Sequence, residues 1–147
     1  MSVKMSHRQV GDVTVVDASG RITLGEGASV FRDLIRDLAA KGNKKILVNL
    51  TDVSYIDSSG IGEMVSSFTT VTNHGGQLKL LGLTKRVKDL LQITKLYTVF
   101  EVFDDEAAAI LQSREFFKLY SAETRRVAGG ELSVLPLEII GQTDYKG

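Results

Sequence analysis

The chain has 147 residues, 43% hydrophobic and 24% charged, which suits one soluble globular domain with a sizeable core rather than a disordered polymer. Lys+Arg and Asp+Glu both number 18, so no basic excess points to nucleic acid, and the lack of Cys excludes a disulfide framework and a thiolate nucleophile. No apolar stretch reaches the ~18 residues of a membrane span and Met1–His7 has no signal-peptide core, so a cytoplasmic protein is expected.

A first strand is expected over 4–10. Gly11-Asp12 signals a tight turn into a second, β-branched run, Val13 to Ala18, which Gly20 should close. Arg21 to Gly27 reads as a loop. Its glycines lack both the Gly-x-Gly-x-x-Gly frame and the Gly-Lys-Ser/Thr ending of a phosphate loop, so it is taken as a lead-in to a helix. That helix is expected over 28–41, with Phe31, Leu34, Ile35 and Leu38 on one face and Gly42-Asn43 ending it. Ile46-Leu47-Val48-Asn49-Leu50 follows as a near-continuous apolar strand of the kind buried on both faces. Residues 51–56 then read as a connection.

Asp57-Ser58-Ser59-Gly60-Ile61-Gly62 comes next, where a strand hands over to a helix expected over 58–73. Gln77 to Gly82 is a further strand. Thr84 is a good N-cap for a helix over 85–92 whose buried side is Val87, Leu90 and Leu91. A β-rich run covers 97–103. Asp104-Asp105-Glu106 places acids at the favourable end of an alanine-rich helix over 107–113. Alternation of this sort predicts an α/β layered domain with a mixed sheet of four to five strands and about four helices, over 1–113. The segment 114–147 does not fit the pattern. It could extend the last helix through 116–120 and form strands at 131–135 and 137–140, and it is read as a poorly anchored appendage, a tail or an added sequence.

The serine turn is the chemically pointed place. A serine nucleophile needs an adjacent base, and the chain has only His7 and His74. His74 lies about 15 residues along the same helix, roughly 22 Å away at 1.5 Å per residue. The Gly-x-Ser-x-Gly frame is absent too, so a hydrolase is disfavoured and no catalytic residue is assigned. No His or carboxylate cluster suggests a metal, and no cofactor is expected. Asp57 or Ser58 can cap the helix, worth ~1 kcal/mol. Capping leaves the second serine and two glycines unexplained. A phosphate on one of these hydroxyls would meet free backbone N–H groups and the positive end of the helix dipole, so the helix would tolerate it. It would add about two negative charges beside Asp57 and repel a closely docked or acidic partner. The expected device is a phosphorylation switch that edits an interface and leaves the fold intact.

The run from Val53 to Gly62, preceded by the strand Ile46–Leu50, resembles the anti-sigma factor antagonists, single-domain proteins of the STAS class. Gly75 to Leu80, Thr84 to Leu91, Ile93 to Leu96 and Phe100 to Phe103 continue the likeness. The resemblance implies a bacterial regulator of transcription, with no enzymatic activity of its own. Such a protein binds an anti-sigma factor that is also a serine kinase, frees a sigma factor, and is inactivated by phosphorylation and restored by a metal-dependent serine phosphatase. The phospho-acceptor maps to Ser59, with Ser58 the runner-up. Partner contacts map to Arg21, Thr23, Asp57, Ser58, Ser59, Gly60 and Gly62, the two glycines being read as clearance for the kinase. The chain departs from the pattern at Arg21, where many relatives carry an acid, and in the segment beyond 113. An alternative from the same fold is a scaffold or adaptor subunit of a signalling or lipid-transport complex without a phospho-switch.

Overall fold

The computed structural model describes residues 3–113; the helix extension and strands expected within 114–147 lie outside them. The sheet lies within the compact unit Met1–Ala109. Its elements run β1 (Lys4–Val10), β2 (Val13–Ile22), α1 (Glu26–Ala40), β3 (Lys45–Ile56), α2 (Ser58–Asn73), β4 (Gln77–Leu81), α3 (Lys85–Ile93) and β5 (Val102–Phe103). A fourth helix, α4, occupies 106–113 and opens with the Asp105 carboxylate accepting the Ala108 N–H at 2.9 Å. The five strands lie in sequence order, β1 antiparallel to β2 and the rest parallel. The expected mixed α/β sheet with about four helices is what the chain forms.

Three parallel crossovers, each stepping one strand in the same direction, place α1, α2 and α3 on one face if each is right-handed. The core agrees. Val16, Ala18, Ile46, Val48, Leu50, Leu78 and Leu80 from one sheet face pack with Phe31, Ile35 and Leu38 of α1, Ile61, Met64 and Val71 of α2, and Val87 and Leu91 of α3. The helix periodicity legible in the sequence therefore marks the buried stripes.

Four expectations need correction. β2 does not stop at Gly20: it continues to Ile22 through register shifts, with Gly20 at φ 96° inside the strand. α1 starts at Glu26, which shortens the loop after β2. Residues 51–56 are strand, not connection, since β3 stays paired with β2 as far as Ile22–Ile56. On its other side β3 leaves β4 at Asn49–Leu81. Its last seven residues thus form, with the end of β2, a two-stranded arm beyond the sheet. The run expected as a strand over 97–103 pairs only at Val102–Phe103. Lys95 turns the chain at φ 63°, and Phe100 drops into the core edge-on to Phe68, with centroids 5.5 Å apart. The aromatic alternation there records packing, not a ladder.

Candidate functional site

The tip of the arm carries the serine turn. β3 ends at Ile56, and Asp57 adopts extended backbone (φ −93°, ψ −176°) before α2 begins at Ser58. Asp57, not Ser58, is the cap: its carboxylate accepts the Gly60 N–H at 2.9 Å. The other carboxylate oxygen accepts the Leu24 N–H at 2.9 Å, from the loop between β2 and α1. The Asp57 N–H in turn donates to Ile22 O at 3.3 Å. One residue thus closes the helix end and ties two loops together. The two backbone donors, Leu24 first and Gly60 second, hold the Asp57 carboxyl below the ordinary carboxylate value.

Gly60 is buried, and a Cβ there would lie 2.2 Å from Ile22 O and 2.6 Å from Ile56 Cγ2. The room beside Gly60 is filled by the chain's own backbone, so its reading as clearance for a partner is corrected. Gly27, in the first turn of α1, is pressed against the same strand end, with Arg21 O 2.6 Å from where its Cβ would be. Both helices therefore lean on residues 21–22. Gly62 is exposed, with nothing within 4 Å of its would-be Cβ, and remains available to another surface.

Ser58 is exposed and Ser59 half-buried. Among the described residues neither hydroxyl is held by a hydrogen bond. Neither histidine reaches them. His74 caps the far end of α2, its ring Nδ1 2.8 Å from Thr70 O. His7 pairs with Val16, six positions short of Ile22 along β2, or roughly 20 Å at ~3.3 Å per residue. Among the described residues no group of three His, Asp or Glu side chains is arranged to hold a metal ion. No described helix is long and apolar enough to cross a membrane.

Of the other expected contact residues, Thr23 sits half-buried in the loop that Asp57 ties down, and Arg21 is exposed at the end of β2, paired in register with Tyr55. The Arg21 guanidinium carbon lies 4.7 Å from the Tyr55 ring centroid. Arg86, from the first turn of α3, approaches the same ring at 5.0 Å. Tyr55 and Arg86 were not among the sequence candidates. Tyr55 stood inside the quoted motif, but nothing local joins it to a residue 31 positions on. α3 is brought there by Thr84, whose hydroxyl donates to Val53 O at 3.2 Å and accepts the Val87 N–H at 3.4 Å.

A mixed sheet in this strand order, with a capped Asp-Ser-Ser-Gly turn at the end of β3, defines a class of small regulatory domain. The STAS domain family pattern matches residues 4–109, and the chain belongs to that family. Among its relatives is the anti-sigma-B factor antagonist of Bacillus subtilis, 33% identical over 102 residues, which are 69% of this chain and 92% of that one. The crystal structure of a candidate anti-sigma factor antagonist from Thermotoga maritima is 26% identical with TM-score 0.70, covering 75% of this chain and 94% of the other. The Bacillus cell fate determinant SpoIIAA in its phosphorylated form shares the fold at 20% identity and TM-score 0.60, over 74% of this chain and 98% of that one.

Proposed function

We propose that this chain is a cytoplasmic anti-sigma factor antagonist that binds an anti-sigma factor with serine kinase activity, releases a sigma factor, and is switched off by phosphorylation at Ser59. The observation that carries the reading is the state of Ser59. Among the described residues its hydroxyl has no hydrogen-bond partner, and it lies on a helix first turn tied down through Asp57, Gly60 and Ile22. A half-buried hydroxyl with no base beside it among the described residues suits a substrate of another enzyme, not a nucleophile of this one.

In the proposed reaction the kinase removes the hydroxyl proton and Ser59 Oγ bonds to the γ-phosphorus of ATP. The bridge to the β-phosphate breaks and ADP leaves. The product carries about two added negative charges at a helix N-terminus, which the dipole and free N–H groups accept. The fold stays as it is while the docked surface changes sign. Hydrolysis by a serine phosphatase restores the hydroxyl. Relatives that bear the antagonist name over nearly their full length support the role.

The test is incubation of the chain with a kinase-type anti-sigma factor and Mg-ATP, followed by peptide mass spectrometry. One phosphate on Ser59 is expected, none on Ser59→Ala, and weakened binding for Ser59→Asp. Equal phosphorylation of Ser59→Ala would move the site, with Ser58 next in line. Binding that Ser59→Asp leaves unchanged would replace the switch by a constitutive adaptor.

A further inference from the structure

Arg21, Tyr55 and Arg86 form a unit that the serine switch does not use. Tyr55 is half-buried on the arm, and two exposed guanidinium groups approach its ring at 4.7 and 5.0 Å. A ring gathers a guanidinium by its face, which leaves the in-plane N–H donors pointing outward in the fork that matches a carboxylate. Two such cations on one ring repel each other and would normally be offset by an acid. Among the described residues neither has a carboxylate partner, although Arg8, Arg32, Lys41, Lys45, Lys79 and Lys85 do. Asp57, the one carboxylate between Val53 and Gly62, is engaged by backbone N–H groups. The plate is thus positive and, among the described residues, has no carboxylate of its own.

We propose that the Arg21–Tyr55–Arg86 plate is a specificity-determining contact that receives carboxylates from an acidic patch on the partner protein. The inference rests on the proposed function, since it takes the surface around Ser59 to be the docking face. Tyr55 stands four residues before Ser59, at most roughly 14 Å of chain. Lys+Arg and Asp+Glu balance at 18 each, so the plate is a local feature of charge and not the edge of a nucleic-acid-binding face. An acid in place of Arg21 would demand a basic partner surface. Arg21 reverses that demand and excludes basic partners by like-charge repulsion. It also gives the phosphate on Ser59 a second effect. Its negative charge competes with the partner's carboxylates for the plate as well as repelling them.

Two measurements on the full chain separate this inference from the reading beneath it. The first needs no biological partner: titration of the isotopically labelled chain with hexaglutamate, observed at the arginine Nε–H and Tyr55 ring signals. Saturable shifts at the Arg21 and Arg86 Nε–H and the Tyr55 ring are expected; Tyr55→Phe should keep the arginine shifts, and Arg21→Gln/Arg86→Gln should lose the Tyr55 ring shift. Absence of shifts, or equal shifts with a single-stranded oligonucleotide at matched ionic strength, would overturn the proposal. The second uses the kinase-type anti-sigma factor. The double variant should bind at least about tenfold more weakly, with a flatter dependence on salt, while Ser59 is still phosphorylated at high kinase concentration. Unchanged affinity and salt dependence would remove the plate and leave the switch standing. Failure of the wild-type chain to bind would remove the switch, with the hexaglutamate result still deciding the plate.

Discussion

Gly60 and Gly62 are two residues apart on one helix, yet alanine at each should act with opposite sign. At Gly60 the added Cβ would meet Ile22 O at 2.2 Å and Ile56 Cγ2 at 2.6 Å. The carbonyl belongs to a paired strand, so the α2 N-terminus must retreat, by about 1 Å to reach ordinary contact. That retreat stretches the Asp57 N–H bond to Ile22 O, already 3.3 Å, and the Leu24 N–H bond to Asp57. Each lost hydrogen bond costs about 1 kcal/mol, and overpacking adds ~1–3 kcal/mol. Alanine returns up to ~1 kcal/mol of helix propensity. The net expectation is a loss of about 2–4 kcal/mol, or roughly 8–16 °C in Tm for a domain of this size. Gly62→Ala meets nothing within 4 Å and should gain ~0.5–1 kcal/mol, a few degrees in Tm. Urea and thermal unfolding followed by far-ultraviolet circular dichroism measures both. A Gly60→Ala protein melting within about 2 °C of wild type would refute the packing argument. So would two variants that shift in the same direction.

The Asp57 carboxyl sits below its ordinary value of 3.8 because Leu24 and Gly60 donate to the charged form. Its contribution to stability is therefore present above that value and is lost as pH falls through the lower, folded one. Asp57→Asn should be less stable at neutral pH by ~1 kcal/mol, and the gap to wild type should close below about pH 4; a gap constant from pH 6 to 2 would show that the charge does not matter. Thr84→Ala removes the α3 cap and the bond to Val53 O, at a cost of ~1–2 kcal/mol. Because Arg86 follows two residues later, the same change should also perturb the Tyr55 ring signals; a destabilised protein with unaltered Tyr55 signals would uncouple α3 from the arm.

Much of this was legible in the sequence where local chemistry and tertiary structure agree. The Gly11-Asp12 hairpin, the stripe Phe31, Ile35, Leu38 and the Thr84 cap each depend on residues a few positions apart. The end of β3 was not legible. Thr51 and Asp52 are exposed because β4 has already ended beside them, and polar residues on a one-sided strand look like a loop. Gly20 misled for a related reason: a positive φ inside a strand marks a bulge as readily as a stop. At the site, Asp57 could be read as a cap, but its second bond, to Leu24, spans 33 residues. Gly60 could be read as small without revealing which surface needed it small. The Tyr55 plate is wholly tertiary, since its two arginines come from different elements meeting on one ring.

The two-stranded arm has a consequence for how the molecule yields. Between Ile46 and Asn49, β3 is laddered on both sides; from Leu50 to Ile56 it is laddered to β2 alone. Opening free energies within one native protein range from near zero up to the global value, in cooperative blocks. With one ladder in place of two, the arm is expected to open at a lower free energy than the sheet beneath, although Leu50, Val53 and Ile56 anchor it in the core. Amide exchange and proteolytic nicking would reach this block first, while Val48 and Leu80 stay protected. The arm is not free of apolar groups, since Ile22, Leu50, Val53 and Ile56 are all fully buried, so its opening would bare part of the core and has to be brief.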